Sequence, residues 1–223
     1  MSAIEVVRDA RARRLKLSVD PMSGRVRLVL PRRAALAPAL AWADGQAAWI
    51  AAQRRRLPHA RPFAPGATVP FMGTEVRLAH DPAAGRAPRL AGGVLSCGGP
   101  VERFGARVLR WMRDEALGVL AAETAEYALR AGVTVDRVAV GDPRARWGSC
   151  SSSGAIRYSW RLILAPAHVR RATVAHEVAH RLHMDHSAAF HAAVARIYEG
   201  DAAAARAWLR AHGAALHWFG RES

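Results

Sequence analysis

The chain has 223 residues, 51% of them hydrophobic and 23% charged; this is the composition of a globular protein with one large domain or two small ones, and it excludes a disordered or fibrous chain. Its two cysteines, Cys97 and Cys150, are too few for a disulfide scaffold, and no apolar run approaches the length that spans a bilayer. The formal charge of +15 suits polyanions, yet Lys16 is the single lysine and the arginines are scattered, densest at Arg54, Arg55 and Arg56; the excess reads first as a solvated basic surface, with nucleic-acid binding as a secondary reading.

The N-terminal stretch MSAIEVVRDARARR has no apolar core behind its charges. The expectation is therefore no signal peptide and a cytoplasmic location. Leu15, Leu17 and Val19 then alternate with Lys16 and Ser18. A Pro/Gly turn over residues 20–24 follows, and Val26, Leu28 and Leu30 resume the alternation. Period two on both sides of a turn predicts a hairpin. Residues 35–57 carry a helical pattern with a break near Asp44 and Gly45, and Pro58 stops it.

Residues 62–100 hold Gly and Pro at short intervals around brief apolar runs, which predicts more short strands. Gly98, Gly99 and Pro100 mark a boundary between a β-rich N-terminal domain, 1–100, and a second domain, 101–223. The second domain opens on a long helix over 101–131, with Phe104, Val108 and Met112 on one stripe and Gly132 as its stop. A strand over 133–140 and a hairpin formed by 144–151 and 156–164 follow, then three helices. The fold class is α+β.

The segment after Pro166 carries the chemistry. Val174, Val178 and Leu182 recur at i, i+4 and i+8, and Ala175 and Ala179 widen that stripe, so the helix packs deeply. His176 and His180 fall on another face one turn apart, a spacing that lets two imidazoles grip one ion. Glu177, next to the first, suits a general base toward a metal-activated water. A catalytic zinc site needs a third protein ligand and an open position. His183, His186 and Glu199 compete for that role. His186 is best placed, because a turn at Met184 and Asp185 brings it back toward the pair, with Ser187 capping the next helix and Phe190, Val194 and Ile197 as its buried stripe.

HEVAHRLHMDHSAAF, from His176 to Phe190, resembles the HExxH…HSxxF signature of the YgjP-like zinc metallopeptidases, relatives of the SprT-type and Wss-type proteases. RWGSCS, from Arg146 to Ser151, and WRLILAP, from Trp160 to Pro166, match the same family. The resemblance implies a zincin-like catalytic domain over 101–223, with His176, His180 and His186 as zinc ligands and Glu177 as the catalytic glutamate. Two positions depart from the family pattern: Asp185 stands where Asn is usual, and His191 where Trp is usual. The His180-to-His186 spacing also fits metzincins, but His183 replaces their glycine.

The expected activity is hydrolysis of a peptide bond, with Zn2+ as cofactor, a protein or peptide as substrate and no membrane partner. Glu177 takes a proton from the attacking water and passes it to the leaving amine. The RWGSCS strand reads either as plain core or as the border of the cleft, where an extended peptide adds to its edge. Arg146 and Tyr158 are candidates to stabilise an oxyanion, and Cys150 reads first as a buried thiol, with an approach to the metal as the alternative. Two alternatives stand beside this reading: a nucleic-acid-associated protease or zinc protein, and a zinc hydrolase of a non-peptide substrate.

Overall fold

The computed structural model describes residues 4–221, so the first three residues of the N-terminal stretch lie outside it. The chain folds as α+β in two compact units, one up to His59 and one from Ala60.

In the first unit, β2 (Lys16–Val19) and β3 (Val26–Pro31) form the predicted antiparallel hairpin. β1 (Glu5–Asp9), not foreseen in the sequence, adds to the other side of β3 in parallel. Two helices follow, α1 (Leu36–Asp44) and α2 (Ala47–Arg55), separated where Gly45 was read as a break. Leu28 and Leu30 from β3 meet Ala39 and Ala43 from α1 in a small core of their own.

The second unit begins with a four-stranded sheet of β4 (Thr68–Phe71), β5 (Thr74–His80), β6 (Arg89–Ala91) and β7 (Val94–Cys97), in the order β4-β5-β7-β6. Its inward residues Val69, Val76, Leu78 and Leu95 share one hydrophobic core with Phe104, Val108 and Met112 of the long helix α3 (Phe104–Ala131). That shared core joins the four-stranded sheet to α3 within the second unit. Gly132, at φ 67°, ends α3 in the left-handed conformation that a glycine adopts without a Cβ penalty.

Three strands then form the sheet that borders the site: β8 (Arg137–Gly141), β9 (Gly148–Cys150) and β10 (Ala155–Ser159). β10 lies between the others, parallel to β8 and antiparallel to β9, so β9 is an edge strand. The second arm of this hairpin is shorter than read. Ser159 accepts a hydrogen bond from the Arg161 backbone and turns the chain into a 3-10 helix over Trp160–Leu164, all of it buried.

Three helices close the unit: α4 (Ala167–Ala179), α5 (Ala188–Ile197) and α6 (Ala202–Leu216). Buried Arg170 on α4 makes a bidentate ion pair with Glu123 on α3, 2.8–3.1 Å from the carboxylate oxygens. Arg161 reaches Asp142 at 2.7 Å and donates to the carbonyls of Leu216 and Phe219 at 2.6 and 2.9 Å. Arg61 and the segment 218–220 exchange backbone hydrogen bonds, Arg61 N–H to Trp218 O at 2.9 Å and Gly220 N–H to Arg61 O at 2.8 Å. No described helix is long and apolar enough to cross a membrane.

Candidate metal centre

α4 buries Val174, Ala175, Val178 and Ala179 in the core, and this turns His176 and Glu177 toward the cleft. The helix ends sooner than its apolar stripe suggested. Arg181 N–H and Leu182 N–H bond back three residues, to Val178 and Ala179, and tighten the last turn into a 3-10 geometry. His180 is therefore the C-cap and His183 lies beyond the helix. The Arg181 side chain pins this turn by donating to the carbonyls of Thr134 and Ser152, both at 3.1 Å.

The chain then doubles back and brings His186 against the pair. One nitrogen from each of His176, His180 and His186 lies within 4.8 Å of the others. The Nε2 atoms of His176 and His186 are 3.2 Å apart. His180 is held from behind: its Nδ1 is 3.1 Å from the carbonyl oxygen of His183. A carbonyl only accepts, so Nδ1 carries the proton and the lone pair of the neutral ring sits on Nε2. Phe190 on α5 forms the floor, its ring centroid 4.9, 4.5 and 4.9 Å from those of His176, His180 and His186. Ser187 caps α5 by accepting from Phe190 N–H, which fixes where that ring enters.

Burial, reinforced by the neighbouring imidazoles, pushes His176 down to about 4. Burial likewise lowers His180. Both rings are thus neutral at neutral pH, the form that offers a lone pair. Glu177 is 6% exposed. Burial raises its carboxyl to about 7, against the pull of Arg146.

The other two competitors for a third ligand lie outside this histidine group. His183 contributes its backbone carbonyl to His180. Glu199 accepts from Tyr127, Arg130 and Arg171 in a separate ion-pair cluster. Cys150 is half-buried and does not belong to the histidine group.

A cavity of about 250 Å³ opens beside Glu177 and His176, and Arg146, Trp147 and Gly148 line it from the strand side. Arg146 is thus brought to the cleft and Tyr158 is not. Tyr158 is fully buried, its hydroxyl 3.0 Å from Thr124 Oγ1. Two contributors escaped sequence reasoning. Gly148 leaves the space that the Glu177 side chain fills; its signal lay in the RWGSCS motif. Arg206 on α6 also lines the cavity, and nothing in its local sequence marks it.

Residues 13–212 match the family model described as YgjP-like, metallopeptidase domain. No curated protein and no solved structure matches the chain.

Proposed function

Because the chain belongs to the YgjP-like metallopeptidase family, we propose that it is a zinc-dependent peptidase, with His176, His180 and His186 as ligands and Glu177 as general base. The convergence of three imidazole nitrogens within 4.8 Å of one another carries this reading. The donor set fits zinc, which takes three protein ligands and one exchangeable position in catalytic sites. The His176 and His186 nitrogens stand 3.2 Å apart and all three lie within 4.8 Å of one another, so these rings would be the ones to hold such a cation. The His183 carbonyl behind His180 is the kind of partner that orients a metal-binding imidazole.

When bound, the cation supplies Lewis acidity toward the substrate carbonyl and acidifies water. The protein's own residues supply the rest. Glu177 shares the cavity with His176 and takes one proton from the attacking water. As the new C–O bond forms and the C–N bond breaks, that proton passes to the leaving nitrogen. β9 stands at the edge of its sheet, and an extended peptide adds to such an edge by backbone hydrogen bonds.

Metal analysis and peptide cleavage test the proposal together. Glu177→Gln retains zinc and loses about 10²–10⁴-fold in turnover, the usual share of a general base. His186→Ala loses both zinc and activity. Normal turnover by Glu177→Gln, or full zinc content in His186→Ala, refutes the assigned roles.

One observation favours nucleic acid as a further partner. Up to His59 the sequence carries twelve Lys and Arg against four Asp and Glu. Electrophoretic shift of short duplex and single-stranded DNA at 50 mM salt, weakening steeply by 200 mM, is the expected result. No shift at low salt removes this partner.

A further inference from the structure

We propose that the cleft beside Glu177 selects substrates by a carboxylate: an apolar side chain enters between Trp147, Ala205 and Leu209, and a negative group that follows it is held by Arg206 and Arg146. The inference rests on the peptidase reading and adds the class of substrate.

The lining of the cleft combines apolar and cationic side chains. The cavity next to His176 and Glu177 is walled by apolar Trp147, Val194, Ala205 and Leu209, with Arg146 and Arg206 also lining it. At about 250 Å³ it lies below the ~300–1,000 Å³ that holds a drug-sized ligand, and it suits a single side chain. A second cavity, of about 280 Å³, is lined by Trp147, Arg206, Leu209 and Arg210. The two share Trp147, Arg206 and Leu209, so they adjoin along α6. The wall between sheet and helix is fixed. The Trp147 indole lies on Gly213 of α6, where a Cβ would come 2.7 Å from Cζ2, and its ring stands 5.3 Å from that of His217.

The charges along this groove are all of one sign except for Glu177. No other carboxylate lines either cavity. Among the described residues, Arg146, Arg206 and Arg210 belong to none of the ion pairs. Asp201, the acid at the start of α6, accepts hydrogen bonds from the Ala203 and Ala204 backbone as the helix cap and also feels the Arg206 charge, without forming an ion pair with it. Arginine recognises a carboxylate through its planar fork. A peptide seated along β9 with one side chain in the cavity meets that fork next. The carboxylate comes either from an acidic side chain or from the substrate's own C-terminus.

The test uses the full-length, zinc-loaded chain and paired quenched-fluorescence peptides, identical except for Glu or Gln after an apolar residue on the amine side of the cleaved bond. A second pair ends at that position as free acid or amide. The expected preference for the carboxylate is about five- to tenfold in kcat/KM, modest because the arginines are exposed. Arg206→Glu brings the ratio to about one or below, and the pair that shows the preference names the source of the carboxylate. Anisotropy of the same labelled peptides on metal-free protein gives a reading independent of turnover: the Glu or free-acid peptide binds tighter by a similar factor, and Arg206→Glu removes the difference. Should Arg206→Glu fail to fold by circular dichroism, Arg206→Gln replaces it. If the wild type cleaves no peptide, the peptidase reading falls and this inference with it. If it cleaves with a ratio near one, or the ratio survives the loss of Arg206 and of Arg146, this inference alone is overturned.

Discussion

Gly148 and Glu177 are in direct contact: a Cβ at position 148 would stand 2.5 Å from Glu177 Oε1 and 2.6 Å from its Cγ. The edge strand and the carboxylate thus fit together only because residue 148 has no side chain. Gly148→Ala displaces Glu177 from its buried position while leaving the three histidines alone. A displacement near 1 Å at a catalytic group costs about 10²-fold. The expected outcome is kcat/KM lowered by about that factor with zinc content unchanged, measured by peptide cleavage and metal analysis on the same sample. A fall in zinc parallel to activity would place the damage at the histidines instead.

The Arg170–Glu123 pair ties α4, the helix of His176 and Glu177, to the long helix α3. Both side chains are buried, at 3% and 8% exposure. Removing one partner leaves an uncompensated charge inside the protein. Arg170→Ala is therefore expected to cost about 3–5 kcal/mol in denaturant unfolding, whereas Arg170→Leu combined with Glu123→Leu recovers most of the loss. Equal destabilisation by the single and double variants would contradict this.

Acid stability follows from the cluster around Glu199. Partial burial works to raise its carboxyl, but hydrogen bonds from Arg171, its own backbone, Tyr127 and Arg130 outweigh that and hold it at about 2. The hydrogen bond from Arg171 lowers Glu126 as well. A carboxylate depressed on folding stabilises fully above its unfolded value, about 4.3. That contribution is lost as pH falls through the folded value, so the window runs from about pH 4.5 down to pH 2. These groups are partly exposed, so screening keeps the effect small. Between pH 6 and pH 3, the wild type should lose about 2–4 °C more in Tm than Glu199→Gln. Identical pH profiles for the two proteins would remove the cluster as the cause.

Gly213 is a glycine inside a helix, where alanine is ordinarily about 1 kcal/mol better. Here the Trp147 ring occupies the space a Cβ would need, 2.7 Å away. Gly213→Ala should therefore destabilise by about 1–3 kcal/mol. In a Trp147→Ala background the same change becomes neutral or stabilising. A double-mutant cycle by chemical denaturation reads the coupling directly.

Much of the histidine cluster was legible because its signal is local. His180 stands four positions after His176, and one helical turn makes that spacing a pair of adjacent rings. The corner at His186 followed from a turn and a capping serine close by. What stayed hidden depends on distant partners. The parallel pairing of β1 with β3 joins Val6 to Leu28 across a long stretch of chain, and the alternating pattern does not specify the neighbour. The end of α4 at Ala179 is set by bonds back to Val178 and Ala179 and by Arg181 reaching Thr134 and Ser152, whereas the apolar stripe runs on to Leu182. Gly148 lay inside a quoted motif, but its purpose shows only when Glu177 is laid against it. The apolar wall from α6 comes from alanines and a leucine with no signature.

The exchange of hydrogen bonds between Arg61 and residues 218–220 has a mechanical consequence. It clips the start of the larger unit to a segment near its finish, beside the two carbonyls that anchor Arg161. Cutting the protein back to residue 217 would unfasten this buckle and strip Arg161 of one acceptor, the Phe219 carbonyl. Residues 218–220 thus act as a closure of the larger unit, and deletions there act on its packing rather than on the histidine cluster.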